Sequence, residues 1–179
     1  MWLWRKLYSV TTNFFNLLNI PEQFVIDLEK LNQHYQTIQK EIHPDRFAST
    51  NKNDQLQSVK KTAELNVAYQ TLKSPLRRAE YLLHIHGLDM MHEKNTAVSQ
   101  DFLMQQMEWR EELETHKKNK ASLEALSLNI QKEKKEILHL LPECFKKKND
   151  LHEAIEMTRK LNFIEKIEQH ISDALIEIE

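Results

Sequence analysis

The apolar positions of this chain fall into helical stripes, with almost no strand-like alternation. Leu28, Leu31, Tyr35, Ile38 and Ile42 recur at helical spacing and trace one face of a helix, with Asp27 placed to cap its start. The stripe stops at Pro44. "STNKND" (49–54) reads as a loop, and Leu56, Val59, Ala63 and Val67 then trace a second stripe, widened by Tyr69 and Leu72. Two such helices joined by about ten residues pack as an antiparallel hairpin. "FFNLLNIP" (14–21) reads as a short apolar helix stopped near Pro21, because the residue before a proline avoids helical backbone. Its Phe14, Phe15, Leu17 and Leu18 supply a third layer.

A further helix, "KSPLRRAEYLLHIHGLD", is well punctuated. Ser74 can cap it, Pro75 suits its first turn, and Gly87 suits the left-handed residue that ends it. The aperiodic stretch 89–98 then divides residues 13–88 from a second unit, 99–179. That unit holds three helical segments: one from Ser99, one from near Ser122, and one opened by Asp150 with Glu153 as a capping box. Leu123, Leu126, Ile130, Ile137, Leu138 and Leu141 line the second segment, and Pro142 is expected to kink or end it. Leu161, Ile164, Ile171, Leu175 and Ile178 line the third. Short connections and three stripes predict an antiparallel three-helix bundle, so the fold class is all-α.

Composition sharpens this. Among 179 residues there is one glycine, where average usage gives about 12. Tight hairpins and glycine-rich phosphate loops are therefore nearly excluded, and no nucleotide fingerprint can be written around Gly87 alone. The net charge of −2 lacks the basic footprint of a nucleic-acid binder. Cys144, the lone cysteine, forbids an intramolecular disulfide and an all-cysteine metal cluster, and it fits a reducing cytoplasm. Met1 to Thr12, "MWLWRKLYSVTT", is too short an apolar run for a membrane span once Arg5 and Lys6 are counted, and reads as an N-terminal extension.

The chemistry concentrates at "KEIHPDRFAS" (40–49). A catalytic dyad is disfavoured: flanking a proline, the His43 and Asp45 side chains are expected to diverge, and no nucleophile or oxyanion hole accompanies them. A metal site is disfavoured too, since His84, His86 and His92 lack the spacing of zinc ligands. No cofactor is expected. What remains is a turn capped by Asp45, or a rigid loop presenting a fixed imidazole and carboxylate to a partner. The tripeptide alone leaves both open.

Its context does not. "KEIHPDRF" followed by a loop and "ELNVAYQTLKSPLRRAEYLL" resembles the J domain, the module that recruits DnaK-type chaperones and stimulates their ATPase. "HPDRFAS", "NVAYQTLKSPLRRAEYLL", "FLMQQMEWREELE" and "RKLNFIEKI", in that order, resemble the HscB family of J-protein co-chaperones of iron–sulfur cluster assembly. The resemblance runs from about Phe14 to the C-terminus.

It implies a non-catalytic adaptor. The family's His-Pro-Asp loop docks on the nucleotide-binding domain of HscA or another DnaK-type ATPase, which carries over to His43, Pro44 and Asp45. Lys40 and Arg46 add positive charge, although Glu41 and the glutamines around it make this helix less basic than the family pattern. The C-terminal bundle binds the IscU-type scaffold, which carries over to Leu103, Met104, Met107, Glu108 and Glu111, with Phe163 from the last helix. Helical spacing puts residues 104, 107, 108 and 111 on one side, with adaptable methionines and an acidic rim. The same spacing also describes a core stripe, so core and contact compete for Met104 and Met107. Two rivals to the whole reading stand beside it: a J-protein with a different client, and a helical interaction protein whose HPD is only a turn.

Overall fold

The first helix, α1 (Phe14–Leu17), shows how closely side-chain chemistry sets the boundaries. Asn13 Oδ1 accepts the Phe15 and Asn16 amides at its start. The helix ends at Leu17 rather than near Pro21, because Asn19 adopts a left-handed backbone, φ 51°. The Asn19 amide then donates to the Asn16 carbonyl and the Ile20 amide to the Phe15 carbonyl, closing the helix as a glycine would. Phe14, Phe15 and Leu18 are buried, each worth about 1.5–3 kcal/mol when fully removed from water.

The computed structural model describes residues 13–47, 49–88, 99–146 and 151–178, and among these the regular structure is helical throughout. After α1 come α2 (Leu28–Ile42), a 3₁₀ turn (Pro44–Phe47), α3 (Lys52–Lys73), α4 (Pro75–Ile85), α5 (Gln100–His116), α6 (Lys120–Lys146) and α7 (Leu151–Ile178). Met1 to Thr12, the boundary stretch 89–98 with His92, and Asp150 of the expected capping box lie outside the described residues. The all-α expectation holds. By contacts, one unit ends at Arg78 and a second begins at Ala79. Most of α4 thus groups with the second unit, upstream of the expected boundary.

In the first unit α2 and α3 form the antiparallel hairpin. Tyr35 stacks on Tyr69 with ring centroids 4.1 Å apart, and Tyr35 Oη donates to Asn66 Oδ1 at 2.9 Å. Asp27 caps α2 by accepting the Glu29 and Lys30 amides. Leu31 is fully buried, whereas Leu28, expected on the same face, is exposed. The correction in α3 is larger. Leu56, Val59 and Ala63 face solvent, and the buried face carries Ser58, Leu65, Ala68, Thr71 and Leu72 instead. Small and hydroxylated residues let the helices approach closely and supply donors that an aliphatic face lacks. The helix also starts earlier than expected, at Lys52, because Asn51 caps it through the Asp54 amide.

Arg78 closes this unit. Its guanidinium is buried and donates to the carbonyls of Leu72 (2.7 Å), Phe24 (2.7 Å) and Lys73 (3.3 Å), while stacking over the Phe24 ring. Burial pushes its pKa down to about 10, so it stays charged at neutral pH, and these carbonyls replace the water it has lost.

In the second unit Ser99 precedes α5 as expected, though its side chain makes no capping bond. Asn119 caps α6, two residues ahead of the expected start, and Pro142 sits inside that helix, which runs on to Lys146. A proline removes one internal hydrogen bond, and here packing of Leu141 and Cys144 on either side of it carries the helix through. Leu123, Leu126, Ile130 and Ile137 of α6 are buried, as are Leu161, Ile164, Ile167 and Ile171 of α7. Lys134 and Glu168 form a 2.6 Å ion pair between the two. Leu83 of α4 joins a cluster with Cys144, Ala154 and Ile155. Gly87 ends α4 at φ 79°, with the Leu88 amide returning to the Leu83 carbonyl at 2.9 Å.

Candidate functional site

In the first unit the chemistry lies where α2 stops. Pro44 has no amide to continue the helix, so the last carbonyls of α2 need other donors. Ser58 Oγ donates to the Ile42 carbonyl at 2.6 Å, with Thr62 Oγ1 at 3.4 Å from the same oxygen. Arg46 reaches back to the Lys40 carbonyl at 3.2 Å, and its own amide closes the turn on the His43 carbonyl. Arg46 thus helps to hold the loop in place, a role its spacing did not suggest. Ser58 and Thr62 were missed altogether, since their partner lies across the hairpin.

His43 and Asp45 do not diverge as expected. His43 Nδ1 lies 3.5 Å from Asp45 Oδ2, and the Asp45 amide donates to the same nitrogen at 3.3 Å. In the neutral ring Nδ1 is then an acceptor and Nε2 carries the proton. The Asp45 side chain is 90% exposed and that of His43 47%. The carboxylate points into solvent, on a turn stiffened by Pro44 and tied down on both sides. Lys40, in the last turn of α2, is exposed.

In the second unit one side of α5 is core and the other is not. Phe102, Trp109 and Leu113 are buried; Leu103 (48%), Met104 (55%) and Met107 (71%) are exposed. That settles the competition between core and surface for the two methionines. Glu108 and Glu111 are also exposed. Phe163 of α7 is half-buried: its ring meets Phe102 edge-on at 5.8 Å, lies parallel to Trp109 at 6.2 Å, and carries the Arg110 guanidinium 5.2 Å above it. A concavity of about 470 Å³ opens beside Met104 and Glu108, with Gln105 and Lys160 also in its wall. Lys160 reaches it from α7, so no spacing in the sequence could have named it.

The described residues contain no cluster of histidine, cysteine and carboxylate groups that could hold a metal ion, and no helix long and apolar enough to cross a membrane. One unit presents a braced carboxylate-bearing loop, and the other an apolar ridge with an acidic rim. A hairpin carrying His-Pro-Asp at its bend defines the class, the J-domain proteins.

Comparison with known proteins narrows the class. Residues 13–81 match the DnaJ domain, and residues 98–172 match the HSCB C-terminal oligomerisation domain. The chain is 40% identical over 169 residues to a co-chaperone protein HscB homolog from Cupriavidus taiwanensis, covering 93% of this chain and 96% of that protein. Its fold is similar to the chaperone HscB from Vibrio cholerae, with TM-score 0.83 and 35% identity over 94% of this chain and all of that one. It is also similar to the human co-chaperone protein HscB, with TM-score 0.87 and 29% identity over 93% and 84% of the two chains. The chain belongs to the HscB family, the J-domain co-chaperones of iron–sulfur cluster assembly.

Proposed function

We propose that the loop of the first unit, with Lys40, His43, Pro44, Asp45 and Arg46, docks on a DnaK- or HscA-type chaperone and stimulates its ATPase. The Leu103, Met104, Met107, Glu108, Glu111 and Phe163 face then holds an IscU-type scaffold protein. The adaptor performs no chemistry itself and acts in the cytoplasm. The assignment of residues 13–88 to the chaperone and 99–179 to the scaffold is part of the same reading.

The observation that carries it is the Asp45 carboxylate, held outward on a turn braced at the Lys40, Ile42 and His43 carbonyls. A fixed, solvated carboxylate has little to do inside its own fold and can form a charge-assisted pair with a partner's arginine. Pre-organisation by Pro44 limits the entropy lost on docking. Joining two binding surfaces in one chain raises the effective concentration of the client near the ATPase.

ATPase assays with the chaperone, with and without scaffold, test both halves. Asp45→Asn is expected to abolish stimulation while leaving the fold intact; full stimulation by that variant removes the loop assignment. Met104→Ala with Met107→Ala is expected to weaken scaffold binding without loss of helicity. Undiminished binding by that double variant removes the scaffold face.

A further inference from the structure

The Met104 face does not stop at its acidic rim. Met104 and Glu108 also stand in the wall of the concavity of about 470 Å³. Phe102, Gln105 and Lys160 are shared between that concavity and a second, smaller cavity of about 160 Å³. The two make one groove along the Gln105 side of α5, running toward α6. Phe102, Trp109, Ile137 and Met157 form its apolar floor, and Leu140 of α6 lies in its wall 47% exposed. A cavity of the smaller size elsewhere holds a benzene-sized group, so the inner end admits one side chain and not a helix.

Charge sets the sign of that side chain. Asp101, Glu108, Glu133 and Glu136 line the groove, and none has an ion pair or hydrogen bond among the described residues. Lys160, the one cation in its walls among the described residues, is already engaged. Its ammonium lies 3.1 Å from Glu156 and 5.4 Å above the Phe102 ring. Lys134 of α6 is likewise held by Glu168.

We propose that this groove is a specificity pocket of the scaffold contact and takes one lysine or arginine side chain of the scaffold protein. The stem of that side chain lies on the apolar floor, and its charged head reaches Glu133 and Glu136. The inference rests on the reading of the Met104 face as the scaffold site. Continuity selects the occupant, because a protein seated on Met104 and Glu108 covers the mouth of the groove. Long cationic side chains bury their stems on apolar surface while the head stays among polar groups. A charge-assisted bond to a carboxylate adds both strength and selectivity. A second copy of this chain, meeting the groove with its own groove, would set carboxylates against carboxylates.

The test is calorimetric titration of the full chain with the scaffold protein over a range of salt concentrations. Glu133→Gln with Glu136→Gln removes the charge and keeps the shape of the groove. Gln105→Trp fills the groove without changing its charge. The glutamine pair removes no apolar packing, so it reads out even if the tryptophan variant folds poorly. Each is expected to raise Kd roughly tenfold, and the glutamine pair alone should flatten the dependence on salt. Glu124→Gln with Glu177→Gln makes the same charge change on exposed acids outside the groove, and should bind as the wild type does. If the groove pair also binds as wild type while Met104→Ala with Met107→Ala binds weakly, the groove is overturned and the scaffold face stands. Equal weakening by the groove pair and the outside pair is an effect of overall charge, and overturns the proposal. If the methionine pair binds normally, the scaffold face itself falls, and the groove reading with it. A wild-type dimer in light scattering that Gln105→Trp dissolves assigns the groove to a second copy, which also overturns the proposal.

Discussion

Ser58 Oγ lies 2.6 Å from the carbonyl oxygen of Ile42, joining the middle of one helix to the last turn of the other immediately before His43. This bond is the hinge pin of the candidate chaperone loop. Ser58→Ala leaves the part-buried Ile42 carbonyl with the longer Thr62 contact, and is expected to cost about 1–2 kcal/mol. Urea denaturation measures that loss. ATPase stimulation at saturating chaperone should fall with it, because the loop loses its brace.

Arg78 is the second brace. Arg78→Leu removes the guanidinium bonds to the Leu72, Phe24 and Lys73 carbonyls, and is expected to destabilise by about 3 kcal/mol or more. Arg78→Lys recovers little, since an ammonium cannot reach three carbonyls arranged around a planar fork. Paired denaturation curves for the two variants separate lost charge from lost geometry.

Phe163 and Met104 should behave differently although both belong to the candidate scaffold face. Phe163 is packed between Phe102 and Trp109, so Phe163→Ala is expected to lower stability by about 2–3 kcal/mol as well as scaffold affinity. Met104 is exposed, and Met104→Ala should weaken binding with the melting temperature held. Calorimetric titration beside thermal melts distinguishes the two.

Asp27 provides the pH prediction. The Lys30 amide bond is the largest influence holding its carboxyl below the usual value of 3.8; desolvation opposes it, and the Glu29 amide and the Lys30 ammonium add to the lowering. A depressed acid stabilises the fold above its unfolded pKa and loses that contribution as pH falls through the folded value. Wild type should therefore exceed Asp27→Ala in urea midpoint above pH ~5, with the gap narrowing toward pH ~2. A gap that is constant over this range would show that the charge is not involved.

Much of this protein was legible in one dimension. The all-helical class followed from a lone glycine and recurrent helical stripes, and the caps at Asp27, Pro75 and Gly87 lie where local chemistry put them. Local signals suffice there because a cap is satisfied by residues within one turn. The four motifs around His43–Asp45, Leu72–Arg78, Phe102–Glu111 and Phe163 were equally readable, and they carried the family assignment.

The tertiary structure decided which apolar stripes are core. Leu56 and Val59 have the same periodicity as Leu65 and Leu72, yet only the latter two are buried, because α2 presents carbonyls at its broken end that Ser58 and Thr62 must satisfy. Met104 and Met107 likewise could not be told from core until Phe102, Trp109 and Leu113 were seen to occupy the opposite side of α5. Periodicity tells which residues share a face; only the neighbouring helix tells whether that face is covered. The same holds for Pro142, whose cost to the helix is local while the packing that offsets it comes from Leu141, Cys144 and the helices they touch.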